Sequence, residues 1–300
     1  MGIFLLGLKI MSTALEDVVG FRLKMLLSRL TATKGRGVIA GLVSTCLVQS
    51  SSAVAASMVV LVDGGILNLT QAFAIILGAN IGTTLTAQIM AFGLEHVALP
   101  LIACGIILNF LPRTRPAGKA IFGLGSIFFG LTIVTSTLAP ILRFPLVHEA
   151  IIQLTDSPLE ACLFGMILTA LVQSSSAVTG LVVGLVRVNF ISLSSAVGLA
   201  LGSNIGTVIT TLLASLGRSR ESKATAYADL FFNLGGVLFV LPLYPLFLRV
   251  IRHLAADPAR QVAHAHTIFN VVTALLALPF LDYLARLAWW WAPLFTLIIL

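Results

Sequence analysis

Gln49-Ser50-Ser51-Ser52-Ala53-Val54 returns letter for letter as Gln173-Ser174-Ser175-Ser176-Ala177-Val178, at an offset of 124 residues. At the same offset Gly78-Ala79-Asn80-Ile81-Gly82-Thr83 returns as Gly202-Ser203-Asn204-Ile205-Gly206-Thr207, and Asn109 meets Asn233. Between Thr45 and Thr86 the two copies share 21 of 42 positions without a gap. Serine is a strong helix N-cap, so a helix that starts in such a run offers N–H donors, hydroxyls and a positive dipole end to an anion. Side-chain oxygens of Gln and Asn, beside the free carbonyls of a helix that has just ended, suit a small hard cation. This chemistry assigns Ser50, Ser51, Ser52, Ser174, Ser175, Ser176, Thr83 and Thr207 to an anion. It assigns Gln49, Gln173, Asn80, Asn204 and Thr84, with Ser50 and Ser174 shared, to Na+. No Lys or Arg adjoins either cluster. An anion desolvated there needs co-bound cations, which would also couple it to an ion gradient.

The elements that must carry these clusters are membrane helices. The chain has 300 residues, 58% hydrophobic and only 10% charged, with a mean hydropathy of +1.07. A soluble domain carries about a quarter charged residues, and here apolar runs such as Ala120–Pro140 and Ala224–Leu248 recur along the length. The fold class expected is an all-α polytopic membrane protein. The net charge of +7 sits in short clusters between apolar runs, an orientation signal and not a nucleic-acid footprint. Cys46, Cys104 and Cys162 fit no metal spacing and read as buried small apolar residues, so no transition metal and no cofactor is expected.

The order of spans is Gly2–Val19, a basic amphipathic stretch Phe21–Arg36, a hairpin Gly37–Val62 with the first serines at its tip, a broken helix Thr70–Phe92, and Val97–Leu111. The second unit repeats it as Ala120–Ala139, a hairpin Ala161–Val186, a broken helix Ser192–Ala214 and Ala224–Leu248. Ala263–Leu284 and Leu287–Leu300 follow. The units are 1–118 and 119–248, with 249–300 as additional C-terminal helices. Hairpin halves of about 11 or 12 residues reach roughly 17 Å, half of a ~30 Å hydrocarbon core, so the hairpins are expected to be re-entrant. Three crossings per unit insert the second unit upside down, an inverted-topology repeat with both tips near the midplane. With the N-terminus outside, 12 basic residues fall on cytoplasmic segments and 5 on external ones, as the positive-inside rule asks. That places the chain in the cell (inner) membrane. Gly78 and Gly82 would let the broken helix unwind, with Thr83 and Thr84 capping its second half. Spaced glycines such as Gly37/Gly41, Gly180/Gly184 and Gly198/Gly202 read as close helix packing.

Other polar residues read as structural. Asp229, within two turns of Lys223, reads first as a paired or snorkelling carboxylate and second as a cation or proton site. Lys9 and Glu16 read as an ion pair, His264 and His266 as capping or packing groups, and Trp289-Trp290-Trp291 as an interfacial anchor. A serine hydrolase using His266 as base is disfavoured, because the serine cluster is duplicated and no histidine accompanies the first copy. The chain is not expected to be an enzyme.

The doubled Gln-Ser-Ser-Ser, each followed about 25 residues later by Gly-x-Asn-Ile-Gly-Thr, resembles the type II sodium-dependent phosphate cotransporters over nearly the whole chain. The resemblance implies Na+-driven uptake of inorganic phosphate, with both hairpin tips and both unwound helices forming the site. Another oxyanion or a dicarboxylate, and H+ in place of Na+, stay open as alternatives. Phe232-Asn233 and Phe269-Asn270 resemble later helices of that family, where a histidine commonly sits four residues before the Asn. His266 fits that pattern and Asp229 departs from it. A homodimer is compatible with this reading.

Overall fold

The computed structural model describes residues 2–30, 33–141 and 144–293. Among them every regular element is helical: α1 (Gly2–Leu30), α2 (Lys34–Val48), α3 (Ser51–Asp63), α4 (Leu69–Ala91), α5 (Ala98–Asn109), α6 (Arg115–Ile141), α7 (Pro145–Thr155), α8 (Pro158–Val172), α9 (Ser175–Arg187), α10 (Leu193–Ser215), α11 (Arg220–Val240), α12 (Tyr244–Leu254), α13 (Pro258–Ala277) and α14 (Leu281–Trp291). Polar residues set the starts. Thr33, Ser50, Ser174, Ser192, Ser219 and Asp257 accept from the first-turn N–H groups, and Asn68 with Gln71 and Ser157 with Glu160 close full capping boxes. The basic side chains of the amphipathic stretch up to residue 32, Glu16 as partner of Lys9, Arg143, and the tail from residue 294 lie outside the described residues. The backbone of α1 runs unbroken through Leu30, so the span and the amphipathic stretch as far as Leu30 are one helix, and residues 34–36 open α2.

The repeat is written into the helix boundaries. α2, α3 and α4 recur as α8, α9 and α10, each boundary displaced by the same 124 residues. Gln49 and Gln173 end α2 and α8 in the left-handed region, at φ 58° and 57°, and Ser50 and Ser174 follow in extended conformation. Two consecutive residues thus turn the chain from one helix into the next, and this fixes the serines as helix starts.

The two broken helices are not broken. α4 and α10 are continuous over 23 residues each. Their glycines serve contact instead of unwinding: a Cβ on Gly78 would lie 1.8 Å from the Val38 carbonyl oxygen, and one on Gly41 would lie 1.8 Å from that of Ile75. α2 therefore lies backbone to backbone on α4, and α8 lies on α10 in the same way through Gly165 and Gly202. Thr83, Thr84 and Thr207 do not cap a second half-helix. They donate back to the carbonyls of Ala79, Ile81 and Ser203 in their own helix. The hairpin limbs are also longer than expected, 15 and 13 residues, because capping starts α2 at Lys34 and α3 runs on to Asp63.

Lengths and surfaces are those of a multi-pass membrane protein. Five segments are long and apolar enough to cross: Leu69–Ala91, Arg115–Thr137, Leu193–Ser215, Arg220–Leu254 and Pro258–Trp291. α4 and α10 are buried nearly all round and form the centre. Outer helices turn residues such as Ile107, Leu171 and Leu275 outward, and Cys104 faces outward with them instead of being buried. Leu241-Pro242-Leu243 and Leu278-Pro279-Phe280 form 3₁₀ turns, since proline cannot continue the helical hydrogen-bond ladder. The first splits the expected span Ala224–Leu248 into α11 and α12, and α12 carries Arg249 and Arg252. Trp289 is docked onto α11, its ring under the Arg220 guanidinium and its carbonyl accepting from Arg220 Nε.

Contacts at the helix ends orient the bundle. Asp63, at the end of α3, accepts from Arg218 and from the Ser219 N–H just before α11, both at 3.0 Å. Lys34 pairs with Asp282 at 2.7 Å, beside the start of α4 at Asn68 and Leu69. At the other end of α4, Arg187 donates to the Ala91 carbonyl and the Arg260 guanidinium covers the Phe92 ring. So α3 ends where α4 begins, α9 ends where α4 ends, and α4 and α10 run in opposite directions.

Candidate functional site

Following α3 inward from Asp63 leads to Ser52 and Ser51, which open onto a tight polar crevice. Its walls are Ser51, Ser52 and Ala55 of α3, Ile76, Ala79 and Asn80 of α4, Asn204, Thr207, Val208 and Thr211 of α10, and Asp229 and Asn233 of α11. Both copies of the Gly-x-Asn-Ile-Gly-Thr motif thus meet at the first serine tip. Ser51, Asn80, Asn204, Thr207, Thr211, Asp229 and Asn233 are all buried. The polar groups are supported from within. Asp229 accepts from Asn233 Nδ2 at 2.8 Å and from Asn80 Nδ2 at 3.5 Å on Oδ1, and from Thr211 at 2.9 Å on Oδ2.

The two repeated asparagines meet different partners. Asn80 donates to Asp229, whereas Asn204 Oδ1 lies 3.0 Å from His266 Nε2 and 3.5 Å from Asn270 Nδ2. Asn233 and Asn270 donate back to the carbonyls of Asp229 and His266, four residues earlier. The bonds of Asp229 thus run to Asn80, Thr211 and Asn233, and not to Lys223. His264 and His266 are two turns inside α13, whose cap is Asp257. His266 therefore packs onto the site instead of capping, while His264 lies 3.3 Å from Gln88 Nε2.

The remaining sequence candidates stand apart from the crevice. Ser50 and Ser174 spend their hydroxyl oxygens on the N–H groups of Ala53 and Ala177. Gln49 turns toward α4, donating to the Cys46 carbonyl at 2.6 Å and accepting from Thr86 at 2.6 Å. Gln173 is exposed, and Thr210 Oγ1, the counterpart of Thr86, is buried without a partner among the described residues. Ser175 is buried and Ser176 half-buried at the second tip. Thr83 and Thr84 lie on α4 outside the crevice lining.

The first serine tip thus meets the asparagine motifs of both copies inside a membrane bundle, and comparison with known proteins places the chain in a family. The Na+/Pi-cotransporter family matches residues 3–136 and 144–256. The chain belongs to the Na+/Pi-cotransporter family. It is 32% identical over 286 residues to the uncharacterized protein YqeW of Bacillus subtilis, covering 95% of this chain and 93% of that one. It is 32% identical over 284 residues to YjbB of Escherichia coli, named as a candidate inorganic phosphate export protein; 93% of this chain matches, but only 52% of that one. It is 34% identical over 136 residues to the rabbit (Oryctolagus cuniculus) sodium-dependent phosphate transport protein 2A, covering 43% of this chain and 21% of that one. The chain thus spans about half of the Escherichia coli relative and nearly all of the Bacillus one. No solved structure matches it.

Two lining residues, Thr211 and Asn233, had no chemistry assigned from sequence, and Asp229 was read first as structural. A signal for them exists. Ala228-Asp229, Phe232-Asn233 and Pro242 recur as Ala265-His266, Phe269-Asn270 and Pro279 at a constant offset of 37 residues. This shorter repeat marks α11 and α13 as equivalent helices whose Asp and His address Asn80 and Asn204 in turn.

Proposed function

We propose that this chain moves inorganic phosphate across the cell membrane by Na+-coupled alternating access, with Ser51, Ser52, Asn80, Asn204 and Thr207 lining the binding site. The observation that carries the reading is the crevice itself: hydroxyls and amides of both repeats converge on the N-terminus of α3, in a bundle whose relatives are named for phosphate transport. Ser50, Ser174, Ser175 and Ser176 belong to the same two tips, with Gln49, Thr83 and Thr84 holding the first tip and its helix in place. The opposite directions of α4 and α10 support inverted insertion of the two units, 1–118 and 119–248. Limbs of about 20 Å, against a ~30 Å core, support re-entrant hairpins. The charge bias supports an external N-terminus. Cysteines placed at Asp63 and Arg187 should label from the cytoplasm and from outside respectively; labelling from one common side would refute the inverted arrangement.

Radiolabelled phosphate flux in proteoliposomes tests the transport reading. An inward Na+ gradient should drive uptake against its own concentration difference, and a choline gradient should not. The name of the Escherichia coli relative favours a second direction, export. Phosphate loss from loaded vesicles that exceeds Na+-driven entry would select it. Counterflow with arsenate and a dicarboxylate separates the substrate classes.

A further inference from the structure

A cavity of about 700 Å³ lies between α14 and the starts of α2 and α4, and it shares no lining residue with the crevice. Leu69 begins and Trp291 ends two of the membrane-crossing segments, so the cavity sits at headgroup level, at the end that the charge bias assigns to the cytoplasm. Three charged residues line it, Lys34, Asp282 and Arg286. Lys34 closes on Asp282 at 2.7 Å and neutralises it. Arg286 is exposed and forms no salt bridge among the described residues, so one positive charge is left over. The starts of α2 and α4 add to it, because the first N–H groups of a helix have no acceptor within it and its dipole end favours an anion.

An aromatic wall borders these donors. Trp289 is clamped by Arg220, whose guanidinium lies 3.3 Å from the ring centroid and whose Nε donates to the Trp289 carbonyl. Tyr283 and Trp290 are 67% and 71% exposed. With Arg286 between them, they follow the i, i+3, i+7 spacing of one helix stripe. A guanidinium flanked by exposed rings on a membrane helix suits an anion that carries hydrocarbon better than it suits free phosphate. We propose that this cavity binds the headgroup of an anionic phospholipid, with its phosphodiester on Arg286 and the starts of α2 and α4, and its glycerol against Trp289 and Trp290. Basic pockets between membrane helices on the cytoplasmic side recognise such headgroups. The site is built once. The two repeats match Lys34 with Pro158, Asp282 with Pro245, and the two indoles with Arg252 and His253. The equivalent corner of the second unit thus has neither the ion pair nor the aromatic wall. A lipid held here ties α14 to the limb that leads to the first serine tip.

The inference stands apart from the transport reading, and its test needs no flux. The chain's three tryptophans are Trp289, Trp290 and Trp291, so indole fluorescence reports this corner alone. Full-length protein is reconstituted in phosphatidylcholine vesicles containing increasing phosphatidylglycerol, with one lipid or the other brominated in its acyl chains. Brominated phosphatidylglycerol should quench well beyond its mole fraction, and brominated phosphatidylcholine correspondingly less. Arg286→Gln should lower that preference about fivefold, the worth of one basic residue beside an anionic surface. Lys34→Gln, which leaves Asp282 unneutralised, should lower it at least as much. Arg113→Gln, at an exposed position on the same expected face, should leave it unchanged. Inorganic phosphate added at constant ionic strength should not relieve the quenching. Arg286 is exposed and unbridged, so Arg286→Gln is the variant expected to fold as wild type does, and a preference retained in it overturns the proposal whatever Lys34→Gln does. Wild-type quenching that follows mole fraction, an equal loss in Arg113→Gln, or relief by inorganic phosphate overturns it too.

Discussion

Gly37→Ala should cripple the first hairpin, and Ala74→Gly should restore it. A Cβ added to Gly37 would sit 2.7 Å from the Ala74 Cβ, where non-bonded carbons prefer about 3.5–4.0 Å. α2 and α4 would have to part by roughly an ångström at a crossing that Gly41 and Gly78 hold at backbone contact. Overpacking of this kind costs ~1–3 kcal/mol. The second unit has solved the same crossing with the residues exchanged: Ala161 stands at the Gly37 position and Gly198 at the Ala74 position, and a Cβ on Gly198 would lie 2.7 Å from that of Ala161. One glycine and one alanine fit, whichever helix carries which. Ala74→Gly alone should cost ~1 kcal/mol in helix propensity. The double variant keeps one of each residue, so its propensity terms nearly cancel and its overpacking vanishes. The expected coupling in a double-mutant cycle is thus ~1–3 kcal/mol in favour of the pair, read from unfolding midpoints in detergent. Phosphate flux should follow stability, because α2 carries the overpacked crossing to the tip at Gln49. Because Gly37→Ala gains ~1 kcal/mol in helix propensity, the coupling decides: a value of zero in the cycle would refute the argument from contact.

Gln49→Ala should lower stability by ~1 kcal/mol, since it breaks the contacts to Cys46 and Thr86, while Gln173→Ala, at an exposed position, should change it by less than ~0.5 kcal/mol; melting curves of the two variants side by side decide it. Asp63→Ala should lower the melting temperature more than Arg218→Ala, because the carboxylate also holds the Ser219 N–H and the Ser222 hydroxyl, whereas the ion pair is partly exposed. His266→Ala should weaken phosphate binding by removing the neighbour that positions Asn204, and His266→Gln, which keeps an N–H donor, should recover part of it. Isothermal titration with phosphate in NaCl measures both, and equal losses in the two variants would point to packing alone.

The repeat was legible because its spacing survives intact: a constant offset in the letters became a constant offset in every boundary of α2 to α4 against α8 to α10. The serine tips were legible for the same reason that they fold, since serine caps a helix wherever the preceding one stops. The broken helices were misread because glycine has two uses that look alike in one sequence. Gly78 and Gly82 could relax the backbone or admit a neighbour's backbone, and only the presence of Val38 and Leu42 against them decides for the second. Asp229 was placed near Lys223 by distance along the chain. In three dimensions its helix turns it toward α10 and α4, whose Thr211 and Asn80 lie 18 and 149 residues away. No local pattern carries that juxtaposition. The 37-residue echo between α11 and α13 carries part of it, and it is hidden because an acid and a base occupy the matched position.

Identical letters in unlike surroundings are what the proposed mechanism requires. Gln49 and Thr86 are joined at 2.6 Å; their counterparts Gln173 and Thr210 are apart, one exposed and the other unsatisfied among the described residues. Ser51 and Ser52 close onto the crevice, and Ser175 and Ser176 do not line it. A carrier with inverted units reaches the opposite face by letting each unit adopt the conformation of the other. The exchange is cheap in free energy when both units can make the same contacts, so Gln49–Thr86 could open as Gln173–Thr210 forms with little net change. Asp229 cannot be exchanged in this way, having Gly105 as its counterpart. In the proposed cycle the carboxylate therefore stays in one unit, and what alternates is the tip that faces it.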